Sequence, residues 1–311
     1  MTQLGMVRGL AAVALLLILR QVAAAQETAN SQISPPEDIL VETKDGVRIK
    51  ATFYPGRKGK DSVPVIVVHD YNGTRQDMAE LALTLQKDFG HAVIAPDLRG
   101  HGESTTANPA IRTDPKRQKL NASSMMLDEY PLMWKEDLER IKSWLVAKNN
   151  AAELNIDKLS IVGAGMGAIV GALFAARDYS WPMLATGKQG QDVKAIAMIS
   201  PEFVFKNLSM QEALKSQPLQ RDVSIYVLVG GADSRATADA NRVYQAFSGH
   251  RKKVADIKDQ TTFFSSLKTK LQGEKLLTEP ALGVSTLIGQ FIEVRSGTQP
   301  YPWLERPNPL G

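Results

Sequence analysis

Leu159-Ser160-Ile161-Val162-Gly163-Ala164-Gly165-Met166-Gly167-Ala168 is the stretch on which the fold turns. Its opening residues are largely apolar and β-branched, and three glycines spaced two apart follow, so it reads as a strand ending in a sharp reversal. The Ala/Gly-rich run 168–176 beyond it is apolar and small, as in a buried helix. Two turns of known chemistry begin this way. In Gly-x-Ser-x-Gly the middle residue stands at the tip as a nucleophile, and here that position is Gly165. In the dinucleotide fingerprint Gly-x-Gly-x-x-Gly/Ala the glycines admit a pyrophosphate to the helix start, and Gly163, Gly165 and Ala168 satisfy it literally.

The flanking pattern frames the choice. Upstream, residues 130–148 read as a helix with Leu132, Leu138, Ile141, Trp144 and Leu145 on its apolar side. Ala92-Val93-Ile94-Ala95 and Val65-Ile66-Val67-Val68 are the unbroken apolar runs expected of strands buried on both faces. Between them, residues 75–89 carry apolar positions at helical spacing and close on Gly90. Residues 39–42 and 47–54 alternate around Lys44-Asp45-Gly46, which predicts an antiparallel hairpin. Downstream, strands are expected at 194–200, 224–229 and 254–257, with helices at 237–247 and 280–294. The connections 178–192 and 202–222 are long for simple links, so a small cap insertion is expected in one of them. The alternation predicts an α/β fold: a mostly parallel central sheet flanked by helices, with an N-terminal antiparallel hairpin.

The chain has 311 residues, 43% of them hydrophobic, enough for one large core. It has no cysteine, which excludes disulfides, thiolate metal sites and a cysteine nucleophile. Its four histidines, His69, His91, His101 and His250, include no pair at helical metal-ligand spacing, so neither metal nor cofactor is expected. The net charge of +4 falls close to neutral once Arg8 and Arg20 are set aside with the N-terminal segment. The basic clusters 112–119 and 251–253 lack interleaved aromatics and read as solvated faces, so no nucleic-acid partner is expected. Arg8 precedes an apolar run, 10–19, and Val22-Ala23-Ala24-Ala25 supplies small residues, so residues 1–25 resemble a secretory signal peptide. An uncleaved anchor is the alternative, but about ten apolar residues are too few to span a bilayer. The mature chain is expected without a transmembrane span, in the periplasm, the cell envelope or outside the cell. A polar linker 26–37, a domain 38–295 and a proline-rich tail 296–311, extended along the surface or mobile, complete the layout.

Three segments, each after an expected strand, together resemble one family. His69-Asp70-Tyr71-Asn72-Gly73 is similar to the His-Gly-x-x-Gly turn of α/β-hydrolases. Asp97-Leu98-Arg99-Gly100-His101-Gly102-Glu103-Ser104 is similar to their Asp-x-Arg-Gly-His-Gly-x-Ser segment, and the turn from Gly163 to Gly167 resembles their nucleophile elbow. The set covers residues 38–294 in the family's order and approximate spacing. It implies an α/β-hydrolase-like fold and, in the serine-hydrolase type, acyl transfer by Ser, His and an acid, with the backbone amides of Tyr71 and Met166 as oxyanion donors. The dinucleotide reading weakens against it, because the glycines follow several strands, and Asp178 leads into Tyr179-Ser180-Trp181-Pro182, which is no strand.

The catalytic groups that the resemblance calls for are largely missing. Gly165 has no side chain to attack a carbonyl. The acid position falls on Asp233, which serves equally well as a helix N-cap. The histidine position falls within 258–277, which contains no histidine; Gln272 occupies a comparable place and cannot shuttle a proton. His69 and His101 shape loops in the family, His250 precedes the expected last strand, and Ser200 and Ser234 read as turn or cap serines. The expectation is therefore an exported, catalytically inactive hydrolase-fold protein with a binding or structural role toward a small molecule or protein. The alternatives are a hydrolase of ester, peptide or small acyl substrates with another nucleophile, and dinucleotide binding at Gly163, Gly165 and Ala168.

Overall fold

The computed structural model describes residues 33–185, 187–251 and 259–307. The expected signal segment, most of the linker and the strand expected at 254–257 lie outside them. Strands β1 (Glu37–Glu42) and β2 (Arg48–Tyr54) form the antiparallel hairpin. Then come β3 (Pro64–Val68), helix α1 (Ala79–Phe89), β4 (Ala92–Pro96), α2 (Leu138–Asn150), β5 (Ser160–Ala164), α3 (Met166–Asp178) and β6 (Ala195–Ile199). A small insertion follows, in which β7 (Val204–Phe205) pairs with β8 (Leu208–Ser209) ahead of short helices α4 (Met210–Ala213) and α5 (Gln217–Arg221). The chain then runs through β9 (Ser224–Gly230), α6 (Ser234–Ser248), β10 (Thr262–Leu267) and α7 (Val284–Ile292).

Eight strands make one sheet in the order β1-β2-β4-β3-β5-β6-β9-β10, antiparallel through β1, β2 and β4 and parallel from there on. The apolar runs divide between two cores because successive side chains point to opposite faces. Ile66, Val68, Ile161, Ile225 and Val227 join the core under α2, α3 and α6, while Val65, Val67, Val162, Tyr226 and Leu228 join the one under α1 and α7. The strand that pairs with β9 at the sheet edge is Thr262–Leu267, downstream of the stretch at 254–257. The anticipated insertion forms in the segment 202–222, where Leu208, Met210, Ala213 and Leu219 are buried in the first core.

Two expectations are corrected. Residues 130–148 are not one uninterrupted helix: a widened turn, Met133–Asp137, precedes α2 and places the Asp137 carboxylate, fully buried, on Arg99. The basic clusters are not wholly solvated faces. Arg112 is buried and pairs with Glu129 at 2.9 Å and with Asp45, and the Arg251 guanidinium donates to the carbonyls of Leu219 and Val223 at 2.8 and 2.5 Å. Burial is acceptable there because every charge finds a carboxylate or carbonyl oxygen. Within the tail, residues 301–306 are held by the side-chain amides of Asn155, Asn149 and Asn150, which donate to the carbonyls of Tyr301, Leu304 and Arg306.

Candidate functional site

From β3 the chain passes to β4 on one side and later to β5 on the other. That reversal opens a crevice at the carboxyl ends of β3 and β5, the usual ligand position in open α/β sheets. The turn from His69 to Gly73 enters it after β3, and the turn at Gly165 after β5. The glycines of the second turn have local causes. A Cβ on Gly163 would run into the Gly167 carbonyl, and one on Gly167 would overlap the carbonyls of Val68 and His69, so both let α3 seat directly on the two strands. Gly165 has φ +47° and ψ −113°, a conformation that side chains rarely adopt.

Asp70 lies at the centre of the crevice. Its Oδ1 accepts a hydrogen bond from the Tyr71 amide at 2.7 Å and another from the Met166 amide at 2.8 Å. These are the two amides that the resemblance implies as oxyanion donors, and both are spent on the chain's own carboxylate. The positive end of α3 reinforces the arrangement, since Met166 is its first residue. The carboxylate also fills the space beside the elbow: a Cβ on Gly165 would fall within 3.0 Å of Asp70 Cγ and of both carboxylate oxygens, closer than real Cβ contacts come. A carbonyl oxygen could reach the two amides only by displacing Asp70, and the Met166 amide is likewise taken from any pyrophosphate at the helix start.

The surroundings are acidic. The Asp70 amide donates to Glu274 Oε2 at 3.3 Å, and burial, with the adjacent Asp70 charge, raises the Glu274 carboxyl above its ordinary range. Burial, and then Asp70, does the same to Glu202. At the histidine position, Gln272 Oε1 accepts from the Ser200 hydroxyl at 2.6 Å and the Gly230 amide at 3.3 Å, while Nε2 donates to the Gly230 carbonyl at 2.7 Å. Gln272 thus ties the ends of β6 and β9 together, and the Ser200 hydroxyl gives its proton to an amide oxygen that cannot take it away. Asp233 caps α6, accepting from the amides of Arg235 and Ala236 at 3.0 Å each. From the insertion, Lys206 reaches across to the phenol oxygens of Tyr130 and Tyr71 at 2.6 and 3.2 Å.

The histidines and the second motif hold the loops. His69 Nε2 accepts from the Leu98 amide at 3.1 Å, so its proton sits on Nδ1 and is donated to the Asp70 carbonyl at 2.7 Å. Burial, together with neighbouring His101, lowers its pKa to about 4. Asp97 accepts from the amides of Arg75 and Glu103 at 2.7 and 2.9 Å and pairs with the Arg75 guanidinium. A Cβ on Gly102, at φ +48°, would overlap the Asp97 carboxylate, and Gly100 turns at φ +79°. Arg99, fully buried, meets Asp137, Asp45 and Glu129 at 2.7, 2.9 and 2.9 Å. Gly73 sits where a side chain would meet the Glu274 carboxylate.

Asp70 was the residue that sequence reasoning missed. The signal was present: Asp70 holds the second position of the turn, where the His-Gly-x-x-Gly pattern has glycine, and a side chain there points at the amides of its own turn. Among the described residues no group of three His, Asp or Glu side chains is placed to hold a metal ion, and no helix is long and apolar enough to cross a membrane.

The architecture, the reversal of strand order and the elbow define an α/β-hydrolase. The family model described as the alpha/beta hydrolase fold matches residues 63–258, and the chain belongs to that family. Two uncharacterized proteins of Mycobacterium tuberculosis are 32% identical to it over 103 residues, which is 33% of this chain and 34% of theirs. The chain thus matches about a third of the length of these curated relatives. Among solved structures, the esterase Pf2001 of Pyrococcus furiosus superposes with a TM-score of 0.58 at 15% identity, over 85% of this chain and 93% of its own. A dienelactone hydrolase from Anabaena variabilis gives 0.55 at 16%, over 85% and 100%. The thermostable carboxylesterase EstE1, from a metagenomic library, gives 0.56 at 14%, over 91% and 98%. At these identities the likeness is one of fold.

Proposed function

We propose that this chain is an exported α/β-hydrolase-fold protein that acts by binding and has given up serine-hydrolase chemistry. The observation that carries the reading is the Asp70 carboxylate on the Tyr71 and Met166 amides. An oxyanion site works by being empty and positive when the tetrahedral oxygen arrives; here it is occupied by an anion. Gly165 supports the same reading, since it offers no nucleophile and makes room for Asp70, and so does Gln272, which is engaged by Ser200 and Gly230. Export rests on the signal-like residues 1–25.

The test is labelling with a fluorophosphonate and turnover of p-nitrophenyl esters, substrates suggested by the esterases among the structural neighbours. The wild-type chain is expected to match a denatured control in both. Labelling at one equivalent, lost in a Ser200→Ala variant, is the outcome that defeats the proposal. Secretion is checked by N-terminal sequencing of the exported chain, with a new N-terminus near residue 26 expected and cytoplasmic retention of the full-length form as the contrary result.

One observation favours hydrolysis by another nucleophile. Both amides bind Asp70 Oδ1, and among the described residues Oδ2 receives no hydrogen bond. Attack by Oδ2 on the acyl carbon of an ester would expel the alcohol and leave a mixed anhydride whose aspartyl carbonyl oxygen, Oδ1, already lies on the amide pair. Intact mass spectrometry after incubation with a reactive ester distinguishes the two readings: a transient adduct that Asp70→Asn abolishes belongs to this one.

A further inference from the structure

A second cavity, of about 560 Å³, lies beside the far end of α3. Its wall residue Arg177 stands eleven residues beyond Met166, roughly 16 Å along the helix from the elbow. The volume is that of an ordinary small-molecule site. Its walls come from the hairpin at 42–44, the widened turn at 135–136, α2, the end of α3, positions 181, 184, 188 and 189, and the tail at Arg306 and Pro307.

The charges there sort into a neutral floor and a cationic remainder. Beneath the cavity, Lys142 pairs with Asp178 and with Asp192 at 2.8 Å, Arg306 with Asp192 and with Asp157 at 3.2 Å, and Lys188 with Asp157 and with Asp192 at 3.0 Å. Three cations there balance three carboxylates. On the walls, Arg177 is matched by Glu139 at 3.2 Å and Glu42 by Arg48 at 3.8 Å. Arg140, Lys135 and Lys44 also line the cavity, with Glu136 as the remaining carboxylate, and none of the four has an ion-pair partner among the described residues. Arg140 carries the clearest sign of a missing acceptor. Its Nε is buried and donates to nothing among the described residues, an unfavourable state for a polar group. The lining also includes Val146, Trp181 and Leu184, the Trp181 indole lying against Arg177 and donating to Glu139 at 3.3 Å.

We infer that this cavity binds a small organic anion, a carboxylate or phosphate monoester on an apolar or aromatic body, held at its anionic head by Arg140 with Lys135 and Lys44. The guanidinium supplies parallel donors that match both head groups. The indole of Trp181 and the side chains of Val146 and Leu184 take the apolar body. The site is independent of the elbow, which lies at the other end of α3.

The test is calorimetric titration of the full chain, at low salt, with benzoate, phenyl phosphate and the neutral isostere benzamide. At least one anion is expected to bind ten or more times tighter than benzamide, and the comparison of the two anions identifies the head group. Arg140→Gln is expected to weaken anion binding about tenfold, equal to about 1.4 kcal/mol, with no loss of thermal stability, because a buried orphan donor has been changed rather than a satisfied one. Lys135→Gln combined with Lys44→Gln gives a second measurement should Arg140→Gln fold poorly, with a loss of several-fold expected. Asp70→Gly, at the other crevice, should leave the affinity unchanged. Neither anion binding tighter than benzamide, no binding of either anion, or an Arg140→Gln affinity equal to wild type overturns the inference.

Discussion

A side chain at position 165 and the carboxylate at position 70 should be mutually exclusive, which makes Gly165→Ala a sharp perturbation. The new Cβ would lie within 3.0 Å of Asp70 Cγ and both carboxylate oxygens, so Asp70 must leave the amides of Tyr71 and Met166. Two hydrogen bonds to a charged acceptor are then lost, partly recovered by hydration, for about 2 kcal/mol net. Holding a non-glycine residue at φ +47° adds about 1–2 kcal/mol. The single variant should therefore be destabilised by roughly 3–4 kcal/mol. Asp70→Gly removes the obstacle, so in the double variant only the backbone strain at 165 should add to its own cost. Urea denaturation of the four proteins in this cycle should give a coupling of about 2 kcal/mol. Additivity to within about 0.5 kcal/mol would mean that Asp70 does not occupy the space beside the elbow in solution. The cycle also bears on any attempt to restore catalysis: in Gly165→Ser with Gln272→His the new side chain and the Asp70 carboxylate compete for the same space, and the further change Asp70→Gly removes that conflict.

Other expectations concern stability. His69 and His91 are buried with pKa values lowered to about 4 and about 3, chiefly by burial. The unfolded chain takes up protons near pH 6.5 that the folded chain refuses, so stability is complete above that value and should fall as pH drops toward 4, by up to about 1.4 kcal/mol per pH unit for each histidine. The raised carboxyls of Glu202 and Glu274 oppose this as pH falls toward their ordinary value of 4.5, because the folded chain takes up those protons before the unfolded chain does. Among the described residues neither ring nitrogen of His91 has a hydrogen-bond partner, and the ring stacks on Phe89, so His91→Phe should leave stability at pH 7 within about 1 kcal/mol and shallow the acid slope measured by urea midpoints between pH 5 and 7. Arg99→Met strands the fully buried Asp137, while Asp45 and Glu129 keep Arg112, and should cost about 3–5 kcal/mol; a loss under 1 kcal/mol would show the cluster to be hydrated. Gln272→Ala unties Ser200 from Gly230 and should cost about 1–3 kcal/mol in the same assay.

How much of this was legible in the chain follows from the range of the forces involved. Strand runs such as Val65-Ile66-Val67-Val68, the hairpin at Gly46 and the helix closed by Gly90 are local matters of periodicity and backbone freedom, and the structure has each of them in place. Gly165 and the absence of histidine from 258–277 are facts of composition, readable once the three motifs had set the frame. The partners of charged groups were not readable. Arg112 and Arg251 looked like solvated surface, and only folding brings Asp45 and Glu129, or the Leu219 and Val223 carbonyls, to them. Asp70 is the strongest case. Its identity departs from the family turn at one letter, yet what that letter does depends on Met166, 96 residues away, whose amide reaches the same oxygen only because β3 and β5 are neighbours in the sheet. Sequence determined most of the elements and the glycine at position 165; the pairing of two strands decided that the Tyr71 and Met166 amides meet the chain's own carboxylate.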